Sequence, residues 1–137
     1  MDLIRFGISL PAALSKKFDQ LIKKKKYPNR SEAIRDLIRK ALVEEEVETN
    51  IEVVAVVNLL YDHHKRQLSE RLTELQHRHH YLVLSSMHVH LDHVNCLETI
   101  VMQGMSRDVK QLADLLISSK GVKHGNLNFT STGKNLE

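Results

Sequence analysis

Hydropathy alternates along residues 3–10: Ile4, Phe6, Ile8 and Leu10 point one way, Leu3, Arg5, Gly7 and Ser9 the other. The spacing predicts a short half-buried strand with a largely polar outer face. Pro11 opens a helix, where its missing N–H costs little, and Leu14, Phe18, Leu21 and Ile22 give that helix one apolar stripe. It ends in Lys23–Lys26, cations suited to the negative end of the helix dipole, and Tyr27-Pro28-Asn29 makes the turn. A second helix begins near Asn29 or Ser31, either of which can cap it; Ala33, Ile34, Leu37, Ile38, Ala41 and Leu42 form its buried face.

From Ile51 the pattern changes. IEVVAVVNLLY (51–61) is a β-branched run and predicts a buried strand. Residues 62–80 have a helical stripe of Leu68, Leu72 and Leu75, and LVLSSMHVHL (82–91) and LETIVMQ (97–103) predict two more strands. A helix over 106–119 carries Val109, Leu112, Leu115 and Leu116; Gly121 ends it, and KHGNLNF (123–129) predicts the last strand. The order β-α-β-β-α-β is that of the split βαβ, ferredoxin-like arrangement. Glu44–Glu46 through Asn50 marks the change of composition, so the expected domains are residues 1–46 and 51–131, although a solvated helix end would read the same way. A piece of about 45 residues buries too little apolar surface to stand alone, which points to oligomerisation.

The net charge of +3 hides an asymmetry. Residues 1–43 hold 11 Lys/Arg against 4 Asp/Glu, and residues 44–137 hold 9 against 13, so the polyanion-binding surface belongs at the basic end. A single cysteine excludes an internal disulfide framework and fits a reducing compartment. No signal peptide and no apolar run near the ~18–20 residues of a membrane span is visible, so a soluble, cytoplasmic chain is expected.

All nine histidines lie between His63 and His124. In a strand, residues i and i+2 share a face roughly 6.6–6.8 Å apart. His88 and His90 then project side by side, with Met87, Val89 and Leu91 expected on the opposite face, toward the core. Cys96, after a short connection at Asp92–Asn95, can bring a thiolate to the same ion. On the preceding helix His79 falls on the apolar stripe, while His77 lies about 180° from Leu68, outward with Glu70 and Glu74. An outward His77 can serve a neighbouring subunit. Imidazoles with a thiolate suit Zn(II), Ni(II) or Cu(II) according to geometry. Two surface histidines and an ordinary buried cysteine are the plainer alternative. Four protein ligands leave no open position for hydrolysis, so an enzyme is not expected.

At the basic end, one strand with Arg5 and Ser9 outward cannot enter a groove usefully. Paired antiparallel with a second copy it makes a ribbon that fits the DNA major groove, and the positive N-terminus of the second helix, with Asn29, Arg30 and Ser31, meets the phosphates. A dimerisation domain with a solvated basic face is the alternative.

The N-terminal strand, the stretch Tyr27-x-Asn29-Arg30-Ser31-Glu32-Ala33-Ile34-Arg35-Asp36, and later Gln76-His77, His88-Val89-His90 and Cys96-Leu97-Glu98 closely resemble the nickel-responsive regulators of the NikR family. The likeness runs from about residue 4 to residue 130. It implies an α+β chain: a ribbon-helix-helix domain followed by an ACT-like, ferredoxin-type metal-sensing domain. It further implies a homotetramer built as a dimer of dimers, with one Ni(II) per chain in a square-planar site at the tetramer interface. His88, His90 and Cys96 match three ligands from one chain, His77 the ligand from another, and Glu98 a residue that holds the site. Glu32 and Asp36 match a second, weaker cation site between the domains; an exposed carboxylate pair balancing Arg35 and Arg39 is the other reading. Arg5, Gly7 and Ser9 fall where the family reads bases, and Gly7 departs by offering no side chain. The implied function is nickel-dependent operator binding that represses nickel-uptake genes, although some members also activate. A ribbon-helix-helix regulator or antitoxin with a non-metal ligand or protein partner, and a metal-storage or hydrolytic protein, are the competing classes.

Overall fold

The computed structural model describes residues 2–137, in two compact units, one ending at Lys40 and the other Ala41–Glu137. In the first unit, α1 (Ala12–Lys24) starts directly after Pro11. It closes with Lys26 in the left-handed region (φ 61), which lets the Tyr27 and Lys26 amides reach back to the Ile22 and Lys23 carbonyls at 3.0 and 3.2 Å. The second helix, α2 (Arg30–Glu48), is capped by Asn29, whose Oδ1 accepts the Glu32 amide at 2.9 Å. It runs unbroken through the Glu44–Glu46 charge run.

The strand expected at 3–10 does not form in the single chain. Its apolar face is bare, with Ile4 86% and Phe6 72% exposed. Backbone N–H and C=O groups become a strand only against a partner, and within one chain this segment has none. Neither Ile34, Leu37 nor Ile38 is buried as expected, and α1 buries no residue at all; only Ala33 is closed off.

The second unit is a sheet of β1 (Glu52–Asp62), β2 (Val83–His90), β3 (Asn95–Met105) and β4 (Val122–Ser131), with α3 (Arg66–Arg78) and α4 (Ser106–Ile117) between. Strand order is β2-β3-β1-β4 and every pairing is antiparallel, the ferredoxin-like topology expected. β1 alternates because one face is covered: Val53, Ala55, Val57, Leu59 and Tyr61 are buried while their neighbours are half-buried. Ile100 and Met102 of β3, Leu68 and Leu72 of α3, and Val109, Leu112, Ala113 and Leu116 of α4 complete one core. Gly121 (φ 103) makes the left-handed turn into β4. Asn50 closes the start of α4, its Oδ1 accepting the Arg107 amide at 3.0 Å.

Two expectations about β2 and β3 are corrected. β3 starts at Asn95 and not at Leu97, so Cys96 sits in the sheet. The register pairs His90 with Cys96 and His88 with Glu98, which turns both histidines to the core face and leaves Met87, Val89 and Leu91 off it, Met87 and Leu91 mostly exposed. Pairing with β3, not the apolar character of β2 itself, decides which face is which.

Candidate functional site

Cys96 and Glu98 are placed by the same alternation that buries Ile100 and Met102, so a thiol and a carboxyl stand on the core face at its end. Across the ladder, directly opposed residues bring their Cβ atoms to about 4.5–5.5 Å. That puts the His90 imidazole beside Cys96 and the His88 imidazole beside Glu98. Because β2 is an edge strand, the His88 side chain keeps about half of its surface open to an incoming ligand (51%).

Glu98 is the organising group. At 2% exposed, a carboxylate must find donors. The Tyr61 hydroxyl donates to Oε1 at 2.7 Å and the Gln76 amide donates to Oε2 at 2.7 Å. His88 Nε2 lies 3.6 Å from Oε2, and its Nδ1 lies 3.5 Å from the Tyr61 hydroxyl. Both nitrogens of that ring therefore face the network. Burial, then the Glu98 carboxylate, push the Tyr61 phenol far above its usual range, so it remains a donor. Burial also pushes the Cys96 thiol up, helped by the Glu98 charge and opposed by contacts to the Tyr61 hydroxyl and the Val89 amide.

Tyr61 and Gln76, to which the sequence reading assigned no role, hold the Glu98 carboxylate. Both had a signal: each is a polar group on a stripe that otherwise reads as core, Tyr61 at the end of 53/55/57/59 and Gln76 one turn beyond Leu72. His63 likewise had no assigned role. Its ring centroid is 4.1 Å from that of His64 and 4.6 Å from that of His90, and its Nε2 is buried without a hydrogen-bond partner.

The donor set fits a borderline divalent metal: imidazole nitrogens with a thiol that becomes a thiolate ligand. Among the described residues no three His, Cys, Asp or Glu side chains form a cage for an ion. His77 is exposed on the outer face of α3, lining a shallow groove with Ser69, Glu70, Thr73 and Glu74. His79 is half-buried with Nδ1 2.8 Å from the Leu75 carbonyl.

In the first unit Arg5, Gly7 and Ser9 are exposed. Ser31 is exposed in the first turn of α2, where the leading amides have no intrahelical acceptor. Asn29 spends its side chain on the cap, and Arg30 makes a two-pronged pair with Asp19 at 2.9 and 2.7 Å. Glu32 is paired with Arg35, and Asp36 accepts the Tyr27 hydroxyl and holds Lys40 at 3.0 Å. No helix of the described residues is long and apolar enough to cross a membrane.

Residues 54–130 match the NikR C-terminal nickel-binding domain, and residues 4–45 match the ribbon-helix-helix proteins of the copG family. A relative from Geobacter sulfurreducens is 57% identical over 136 residues, covering 98% of both chains; its name is "Putative nickel-responsive regulator". One of the same name from Nitratidesulfovibrio vulgaris is 54% identical over 134 residues, 97% of this chain and 96% of its own. A ribbon-helix-helix module and an α+β nickel-binding domain, joined in that order along the whole chain, make it a member of the NikR family of nickel-responsive transcriptional regulators.

Proposed function

We propose that this chain is a Ni(II)-dependent DNA-binding repressor of nickel-uptake genes, acting as a homotetramer in which each nickel joins two chains. The observation that carries the reading is the register of β2 on β3: it sets His90 against Cys96, with His88 two residues along and Glu98 behind it. Those three ligands come from one chain, and the exposed His77 of a second copy is the fourth, giving one nickel per chain. Nickel, when bound, supplies a dication that draws imidazoles and a thiolate from separate chains together. Cys96 gives up its proton, so loading is linked to pH. Glu98, held by Tyr61 and Gln76, keeps the His88 ring near the position from which one nitrogen turns outward. Arg5 and Ser9 of a paired ribbon read base edges, Gly7 allows close approach, and the α2 N-terminus at Asn29, Arg30 and Ser31 meets phosphate.

The test joins both halves. Tag-free protein titrated with Ni(II) should develop a thiolate-to-nickel charge-transfer band that saturates at one ion per chain, with operator affinity rising in step at fixed salt. Cys96→Ala should lose both. Nickel-dependent operator binding that survives in Cys96→Ala would overturn the ligand assignment, and a band without any effect on DNA would overturn the regulatory one.

A further inference from the structure

Gln76 and His77 are consecutive residues of α3, about 100° apart around the helix. Gln76 is half-buried and donates to Glu98 Oε2 at 2.7 Å, whereas His77 is exposed on the outer face. Glu98 also faces His88, the ring of its own chain's site, at 3.6 Å from the same Oε2. One buried carboxylate oxygen thus faces both a ligand of this chain's site and the helix turn whose next residue is presented outward. A carboxylate this enclosed has little freedom to move without its partners.

We infer that Gln76 is a positioning residue that couples nickel sites: through the Glu98–Gln76 hydrogen bond, occupancy of the site at His88 fixes the turn of α3 that lends His77 to a neighbouring site. The inference rests on the proposal that His77 serves a second copy. When the His88 ring becomes a ligand, its remaining nitrogen is a fixed N–H donor and a stronger one. Glu98 is then held more firmly, and with it the Gln76 amide and the last turn of α3. A turn already ordered costs the next site less to use, so nickel uptake is positively cooperative between chains, and the coupling is reciprocal. Tyr61 anchors the other oxygen of Glu98, so displacement of His88 is passed toward Gln76 and not absorbed by rotation of the carboxylate.

The experiment is a nickel titration of the full chain, read by the charge-transfer band and by calorimetry. It compares the wild type with Gln76→Met, which keeps the length of the side chain but cannot donate. In the wild type the later ions should bind on the order of tenfold more tightly than the first. In Gln76→Met the sites should fill independently, with the band and the stoichiometry retained. Nickel-free Gln76→Met should also show faster hydrogen exchange at the amides of residues 76–79, a readout that needs no metal. Glu98→Gln, which removes a buried charge and is expected to fold, should lose cooperativity as well. Independent filling in the wild type, or cooperativity that persists in both variants, overturns the inference. His77→Ala separates the two readings. If it keeps the wild-type band and stoichiometry, the sharing of His77 fails and the coupling with it. If it loses them while Gln76→Met stays cooperative, only the coupling fails.

Discussion

The two units of the chain treat their apolar side chains differently. The unit from Ala41 onward closes a core of its own, in which Leu59, Leu72, Ile100, Met102, Leu112 and Leu116 are all fully buried. Among its described residues the unit ending at Lys40 buries only Ala33, and leaves Leu14, Leu21, Leu37 and Ile38 between 39% and 51% exposed. Both units have apolar residues at regular helical or strand spacing; only one of them has, within a single chain, a surface to put against them. The same division applies to the polar groups. The nickel-binding unit arranges Glu98, Tyr61 and Gln76 internally, whereas residues 3–10 of the ribbon-helix-helix unit pair with no strand of the same chain. One unit is closed within a single chain; on the proposed pairing, the other is half of a folded domain.

The largest effect should come from attacking the self-sufficient core. Leu112→Ala should cost about 2–5 kcal/mol, because the cavity lies under both helices and the sheet. Its loss of thermal midpoint should not depend on protein concentration. Leu37→Ala should behave differently: on the proposed pairing its burial comes from a second copy, so its effect should be small in dilute protein and grow to a plateau as concentration rises. A midpoint shift for Leu37→Ala that is the same across a hundredfold dilution would contradict the comparison.

Next in size is Arg5→Ala. It should reduce discrimination between operator and unrelated DNA by about 1–3 kcal/mol, with nickel stoichiometry and the charge-transfer band unchanged. The measurement is competition binding at one salt concentration. An equal loss on both DNAs would make Arg5 a phosphate contact.

A smaller effect separates the units by pH. The raised Cys96 thiol holds its proton in the folded nickel-free chain beyond its ordinary value of 9.0. A raised folded-state value contributes stability that is complete below the unfolded value and is lost as pH rises through the folded one. The nickel-free C-terminal unit should therefore weaken on the alkaline side, an effect absent from Cys96→Ala. Nickel binding runs the other way: it takes the thiolate, so affinity should rise about tenfold per pH unit near neutrality. Proton release measured by calorimetry in two buffers gives the number directly, and a value near zero would mean that the sulfur is not a ligand.

How much of this could be read in advance follows from the same physics. The β1 stripe, the Leu68/Leu72 and Val109/Leu112/Leu116 helices and the β-α-β-β-α-β order depend on local periodicity, and periodicity is written in the sequence. The orientation of His88 and His90 depends on register. With apolar Met87 and Val89 alternating between them, the local pattern favours the wrong face, and only the pairing with Cys96 and Glu98 corrects it. Gln76 and Tyr61 were open to a stricter rule, that a polar group on a buried stripe needs a named partner. The partner, Glu98, lies 22 residues from one and 37 from the other, so spacing could not supply it. The missing strand at 3–10 is a different case: the alternation is there, but no strand of the same chain pairs with it.

The smallest test probes the half domain at the point where it is locally complete. Asn29 caps α2 through its own Oδ1 at 2.9 Å, a bond that needs no second copy. Asn29→Ala should cost about 1 kcal/mol, and the cost should stay the same whether the protein is dilute or concentrated, unlike that of Leu37→Ala. It should also loosen the first turn of α2, where Arg30 and Ser31 are proposed to meet phosphate. Affinity for operator and for unrelated DNA should then fall by similar factors, since a phosphate contact positions without reading sequence. If Asn29→Ala instead became milder at high concentration, pairing would be supplying the cap, and the local order of this unit would also depend on the second chain.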